Sequence, residues 1–325
     1  MGCAAFSRPA PRSSGCSDVE PPSGLQVELR HAGQRATIVE VGGGLREYVV
    51  DDQPVLDGYG RDEMASGGRG QTLLPWPNRL ADGRYEFAGQ TLQLPMDELE
   101  TQTAIHGLVR WANWQVTAEA AGRATASLLL HPRPGYPFTL AIELTYVLDD
   151  AGLSVRTLAR NEGAVPLPFG VGYHPYLTAG TPVVDAAWLR LAAGRFLEVD
   201  ARLLPTGRST QVAGSDRDFR QARPIGELQL DTCFTDLERD EQGRAWVELG
   251  AGRRVRLWLD RAYEFVQLFT GDTLPAERRR QGLAVEPMSC AANAFRGGLG
   301  LRVLQPGESF SGVWGLSVAR RQRSE

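Results

Sequence analysis

The chain reads as an all-β protein, built as one large antiparallel β-sandwich. Three observations predict this. Apolar and polar residues alternate with period two in many short stretches, as they do when one face of a strand is buried and the other is wet. The 37 glycines and 20 prolines are spread along the 325 residues and not pooled in a linker, which suits short strands joined by turns. Few segments hold a helical period for three turns.

The elements follow in order. LQVELRH and ATIVEVG alternate, and LREYVVDD comes next. RYEFAGQTLQL predicts two strands around a tight Ala-Gly turn, and WQVTAEAAGRATASLLL a hairpin around Ala-Gly-Arg. FTLAIELTYVLDDAGLSVRTLARN predicts a longer hairpin that turns at Asp149, Asp150 and Gly152. WVELGAGRRVRLWLD, FVQLFTGD and SFSGVWGLSVA complete the set. Short helical turns are expected only in ASGGRGQTLL and around Phe219. No Pro- or Ser-rich linker follows residue 24, so residues 24–320 are expected to form a single domain. Residues 1–23, rich in Ser, Pro, Gly and Ala, are expected to be a disordered tail. They lack the apolar core of a signal peptide. The opening MGC suggests myristoylation, but Phe6 stands where Ser or Thr is wanted.

Charge and cysteine content narrow the function. The formal net charge is -4. A nucleic-acid binder would more often carry a basic stripe, and the short ERRRQ cluster near Arg278 reads as a solvated loop. No run of about 18 apolar residues is present, so no membrane span is expected. Cys3, Cys16, Cys233 and Cys290 form no CxxC pair and match no zinc module. A reduced, cytoplasmic setting is expected.

Four stretches hold side chains suited to chemistry. In GVGYHPYL, Pro175 pushes His174 toward extended backbone. His174 is then either a buried histidine satisfied by hydrogen bonds or a positioned acid or base. PWPNRL offers Asn78 and Arg79, readable as a turn asparagine with a surface arginine or as donors to hydroxyls and anions. In AIHGLVRWANW, Gly107 lets a ligand or a neighbouring backbone approach His106 closely. In AVEPMSCAANAF, Glu286 sits in an apolar run. Burial there raises its pKa and improves it as a base near neutral pH. Asp231, in LDTCFTDL, either caps a turn or joins a site. His31, in a turn, and His131, at a strand exit, are expected to have no catalytic role.

Taken in order, PWPNRLADGRYEFAGQTLQL, AIHGLVRWANW, GVGYHPYL and AVEPMSCAANAF followed by LQPGES resemble the aldose 1-epimerase (mutarotase) family over most of residues 24–320. The resemblance implies a large antiparallel β-sandwich of the galactose mutarotase-like supersandwich type. It implies Glu286 as general base and His174 as general acid. His106 would hold the sugar and polarise its ring oxygen, while Asn78, Arg79 and Asp231 would grip hydroxyls. The implied partner is a small-molecule sugar, on a monomer or homodimer, with no nucleic acid and no membrane. LVRWANW after the first His-Gly is closer to a subgroup that includes hexose-phosphate and sulfo-sugar epimerases, so the identity of the sugar stays open.

Ring opening of an aldose needs one group to remove the C1 hydroxyl proton and another to protonate the ring oxygen. It requires no metal, cofactor or covalent intermediate, and none is expected. The sequence has no metal-ligand spacing, and GVGYH lacks the strand-to-helix context of a dinucleotide site. Three alternatives remain: a non-catalytic carbohydrate-binding β-sandwich, a polysaccharide hydrolase or lyase, and an epimerase of a phosphorylated or sulfonated hexose. The last needs a cation near C6, with Arg79, Arg110 or Arg296 as candidates.

Overall fold

A computed structural model describes residues 19–319. The tail expected to be disordered, with Cys3 and Cys16, falls almost entirely outside the described residues. All pairings between the named strands are antiparallel.

Two large sheets dominate. The nine-stranded sheet runs from Gln115–Ala120 through Arg123–Leu130, Leu140–Asp149 and Gly152–Asn161 to the last strand, Ser309–Ala319. It continues through Arg254–Leu259, Ala245–Gly250, Trp188–Leu191 and Arg223–Pro224. The eight-stranded sheet has Asp231–Leu237, Phe265–Phe269, Leu283–Met288, Gly172–Tyr173 and Thr72–Leu73 side by side. A smaller four-stranded sheet holds the chain from Gln26–His31 to Gln53–Pro54.

The alternation seen in the sequence is the burial pattern of these strands. In Leu140–Asp149, Leu140, Ile142, Leu144, Tyr146 and Leu148 are buried, while Glu143 faces solvent. One apolar cluster joins Leu144 and Val155 of the nine-stranded sheet to Val266, Leu268 and Val285 of the eight-stranded one. Each such fully buried side chain contributes about 1.5–3 kcal/mol before the entropy of ordering the chain is set against it, and this burial is what holds the two sheets face to face.

The turns follow their residues. Ala88 and Gly89, both with positive φ, close the hairpin between Arg84–Phe87 and Gln90–Gln93. That is the twist a two-residue hairpin needs. At the long hairpin the Asp149 carboxylate accepts from the Ala151 N–H at 2.8 Å, and Gly152 takes φ 114°. The helical turns expected in ASGGRGQTLL and around Phe219 are not helices. Gly67, Gly68 and Gly70 all have φ between 58° and 78°. A right-handed helix cannot hold those angles, so the segment is a tight, irregular turn leading into Thr72–Leu73. The described helices lie elsewhere, a 3-10 turn at Val184–Ala186 and one α-turn at Ala294–Gly297. Among the described residues no helix is long and apolar enough to cross a membrane.

Candidate active site

Glu286, Asp231 and Gln267 sit on three adjacent strands of the eight-stranded sheet. Glu286 pairs across from Gln267 in the Leu283–Met288 strand, all six residues of which are buried. Asp231 opens the next strand, and its carboxylate accepts from the Gln267 amide. His174 follows the two-residue strand Gly172–Tyr173. Its backbone N–H donates to the Gln71 carbonyl at 3.2 Å, and its carbonyl accepts from Gly70 at 2.9 Å. Side chains alternate across a strand. Tyr173 therefore points into the core, where its hydroxyl lies 2.5 Å from the Thr157 hydroxyl, and His174 points to the opposite side. The sequence places a tyrosine on each flank of His174, but only Tyr176 stacks on the imidazole, with centroids 5.0 Å apart.

Asn78 and His106 enter from two loops that lock together. The Asn78 N–H donates to His106 Nδ1 at 3.2 Å, and the His106 N–H donates to the Asn78 carbonyl at 3.0 Å. Both residues take left-handed φ, 57° and 64°. Gly107 follows with φ 75°, and a β-carbon there would lie 1.9 Å from the Leu74 carbonyl oxygen. The close approach at Gly107 is thus to a neighbouring backbone. Because Nδ1 accepts, the proton of the neutral His106 ring lies on Nε2, which leaves that nitrogen as a donor. Asn78 also turns its side-chain oxygen back to the Arg79 N–H at 2.8 Å.

Asn78, Arg79, His106, His174, Asp231 and Glu286 all line one cavity of about 380 Å³. That is the scale of a small-molecule site. His174 Nε2 lies 3.3 Å from Glu286 Oε1. The His106 and His174 rings meet edge to face at 5.4 Å. Arg79 is not a surface arginine: it binds Glu98 through two nitrogens, at 2.7 and 2.9 Å, and its third lies 3.6 Å from Asp231.

Burial dominates the electrostatics. It raises the Glu286 carboxyl well above the ordinary range. The Asp231 charge adds to this, and Arg79 opposes it. Burial also raises Asp231, against the pull of Arg79. Both histidines are pushed down, again by burial first. His106 falls well below its usual value, and His174 falls to about 3, with the Arg69 and Arg110 cations adding to the effect. Burial works against the Arg79 cation, but the Glu98 and Asp231 carboxylates outweigh it.

Among the cavity-lining side chains, two buried atoms have no partner in another residue, Glu286 Oε2 and His174 Nδ1. Unmet hydrogen-bonding capacity in a cavity wall is available to a polar ligand. Among the described residues no three His, Cys, Asp or Glu side chains cluster to hold a metal ion.

Other residues were not singled out in the sequence. Glu98 is the partner of Arg79, and Thr101 and Thr103 donate to it in turn. Asp97 does the same for Arg110, at 2.6 Å. Both acids lie in the polar segment MDELETQT, which carries no periodic signal. Of the Trp111–Trp114 segment, which the sequence offers either as a pocket wall or as core, Trp111 lines the cavity and is half exposed, whereas Trp114 is core. Arg296 is not among the cavity-lining residues and pairs with Asp82 at 3.0 Å.

The sequence profile of the aldose 1-epimerase family matches residues 25–317. The uncharacterized protein YihR of Escherichia coli K12 is 38% identical over 287 residues, 88% of this chain and 91% of that protein. Galactose mutarotase of Homo sapiens is 26% identical over 81% of this chain and 79% of its own. Among solved structures, a GalM/aldose epimerase homologue from C. elegans superposes with a TM-score of 0.80 at 20% identity, covering 91% of this chain and 100% of that one. Galactose 1-epimerase from Lactobacillus acidophilus gives 0.76 at 20% identity, covering 91% and 95%. These structural likenesses show the fold, a galactose mutarotase-like β-sandwich.

Proposed function

This chain belongs to the aldose 1-epimerase family, and we propose that it interconverts the α and β anomers of an aldohexose by acid–base ring opening. The observation that carries this reading is the buried pair His174–Glu286, 3.3 Å apart on the wall of a sugar-sized cavity.

Burial disfavours charge on both members, so between them they hold one proton. That proton has two placements of equal net charge, on the imidazolium beside a carboxylate or on the carboxylic acid beside a neutral imidazole. Burial favours the neutral placement in the free site, so the Glu286 proton first passes to His174 across 3.3 Å; ring opening then starts from the imidazolium beside the carboxylate and ends in the other placement. Glu286 takes the proton from the C1 hydroxyl while His174 gives one to the ring oxygen. The C1–O5 bond breaks and the open-chain aldehyde forms. Rotation about C1–C2 presents the other face. His174 then recovers the proton from the O5 hydroxyl, Glu286 returns one to the carbonyl oxygen, and the ring closes as the other anomer. The His106 Nε2–H donates to the sugar near the ring oxygen. Arg79, Asn78 and Asp231 hold hydroxyls, the Arg79 plane being fixed by Glu98. Each positioned acid or base contributes about 10²–10⁴-fold.

A cytoplasmic setting goes with this reading, supported by the two buried free thiols, Cys233 and Cys290. A hexose with an anionic group at C6 is the second substrate class, and the cavity argues against it, since Asp97, Glu98, Glu100 and Asp231 line it beside the two arginines. Arg79 and Arg110 both line the cavity, each already held by a carboxylate. NMR exchange spectroscopy tests both, with glucose, galactose, glucose 6-phosphate and sulfoquinovose. Faster α/β exchange of one sugar, lost in His174→Asn and Glu286→Gln, is the expected result and names the substrate class. Binding of a sugar with no acceleration would replace the enzyme by a carbohydrate-binding protein.

A further inference from the structure

His174 Nδ1 has no partner in another residue, and only its own backbone bears on it, so no neighbouring acceptor behind the ring fixes its plane. A histidine that transfers protons usually has its second nitrogen held by a carboxylate or carbonyl. Packing must orient this one. One face of the imidazole lies on Tyr176, centroids 5.0 Å apart with the planes 21° from parallel. Beside it runs the turn at residues 66–70, where a β-carbon on Gly68 would come within 2.6 Å of the ring Cδ2 and 3.0 Å of Nε2.

The Tyr176 ring is held in turn. Its hydroxyl donates to the Gly67 carbonyl at 2.7 Å. The Arg69 guanidinium carbon lies over the ring, 4.4 Å from its centroid. The Tyr176 ring is thus in contact with both the imidazole and the guanidinium. Arg69 is itself immobile. Its side chain is 1% exposed, it grips Asp57 through Nε and Nη2 at 3.2 and 2.8 Å, and Nη1 donates to the Ser66 carbonyl at 3.1 Å. Arginines are almost never this buried unless paired.

We propose that Arg69 is a positioning residue for His174: it holds the Tyr176 ring and the turn at residues 66–70, the two surfaces the imidazole rests on, and so aims Nε2 at Glu286 and the sugar. This rests on the reading of His174 as the proton-transferring acid. The planar guanidinium is needed because an ammonium has no plane to lay on the ring. The charged and titratable groups facing His174 are Glu286, His106 and Tyr176 at contact, with Arg69 behind Tyr176 and Arg110 farther off. Arg69 is one of the two cations that help keep the free imidazole neutral.

The test compares Arg69→Lys with Tyr176→Leu. The lysine keeps a positive charge beside Asp57 but loses the second bond to it and the plane over Tyr176, so the His174 ring signals, and not stability alone, separate positioning from a purely structural role. The expected result is a kcat for anomer exchange lowered about three- to ten-fold in Arg69→Lys and more in Tyr176→Leu, with KM within two-fold. In the sugar-free proteins the ¹⁵N signals of the His174 ring shift and broaden. A kcat within two-fold of wild type in either variant that folds, or His174 signals unmoved in both, would overturn the proposal. A wild-type protein that accelerates no sugar, with the His174 signals still moved in the variants, would sink the epimerase reading and leave the positioning contact standing.

Discussion

Tyr173 and His174 are neighbours in the chain, equally buried, and open onto two different regions. Tyr173 faces the space between the sheets. There its hydroxyl, Thr157 and Tyr263 satisfy one another, at 2.5 and 3.0 Å. His174 faces the cavity, where its own Nδ1 and Glu286 Oε2 have no partner. Net, a satisfied buried hydrogen bond contributes about 0.5–1.5 kcal/mol, and an unsatisfied group costs about 1–3 kcal/mol. The first cluster stabilises the fold. The second costs stability and leaves the His174–Glu286 pair on the cavity wall without other side-chain hydrogen-bond partners. Burial alone does not mark a functional residue. Nor does unmet hydrogen-bonding capacity alone, since Thr72, Trp76 and Trp314 also hold unpartnered buried atoms; what sets His174 and Glu286 apart is that it coincides with a cavity wall.

The sharpest way to break this contrast is Glu286→Gln. It is expected to lower kcat about 10²–10⁴-fold while leaving thermal stability at pH 8 equal or higher. The sign follows from the raised carboxyl. A folded-state value above the unfolded one contributes stability that is fully present below about pH 4.3 and is lost as pH rises through the folded value. Glutamine removes that alkaline loss. Melting curves at pH 5 and pH 8 check it, and a variant less stable than wild type by more at pH 8 than at pH 5 contradicts it. Tyr173→Phe is the mirror experiment. It should cost about 1–2 kcal/mol in denaturant unfolding with kcat within two-fold, and a large loss of kcat would put Tyr173 in the site. The smallest effect is on pH dependence. An ordinary histidine would titrate near pH 6.5, but His174 is held at about 3. The pair therefore keeps its single proton as pH falls from 7 to 5, and buffer-corrected kcat should change less than two-fold. A midpoint near 6.5 would show that the imidazole is hydrated.

What the sequence revealed was local. The hairpin of Leu140–Asp149 with Gly152–Asn161 was legible because alternation and an Asp/Gly turn lie within one stretch. Glu286 stood out as a carboxylate in an otherwise apolar run, and His174 because Pro175 restricts it. The order of strands was not legible. The last strand lies between Gly152–Asn161 and Arg254–Leu259, a pairing no short window contains. Glu98 was missed for the same reason: a polar loop residue becomes a counter-ion only when the fold brings Arg79 to it. ASGGRG was read as helical because glycine spacing does not reveal the sign of φ. With it went Arg69, whose burial is a tertiary fact.

The strand that carries Tyr173 and His174 toward their opposite sides is only two residues long, and Gly172 is its anchor, paired to Met288 on one side and Leu73 on the other. A slip of one residue would exchange the phenol and the imidazole. A slip would also bring a side chain to the place of Gly172, where a β-carbon would lie 2.7 Å from Pro77 Cβ, so the junction admits one register and a copy that missed it would turn over no sugar. Turnover per folded molecule after refolding is therefore a gauge of fidelity at this one junction, which bulk spectroscopic signals do not report.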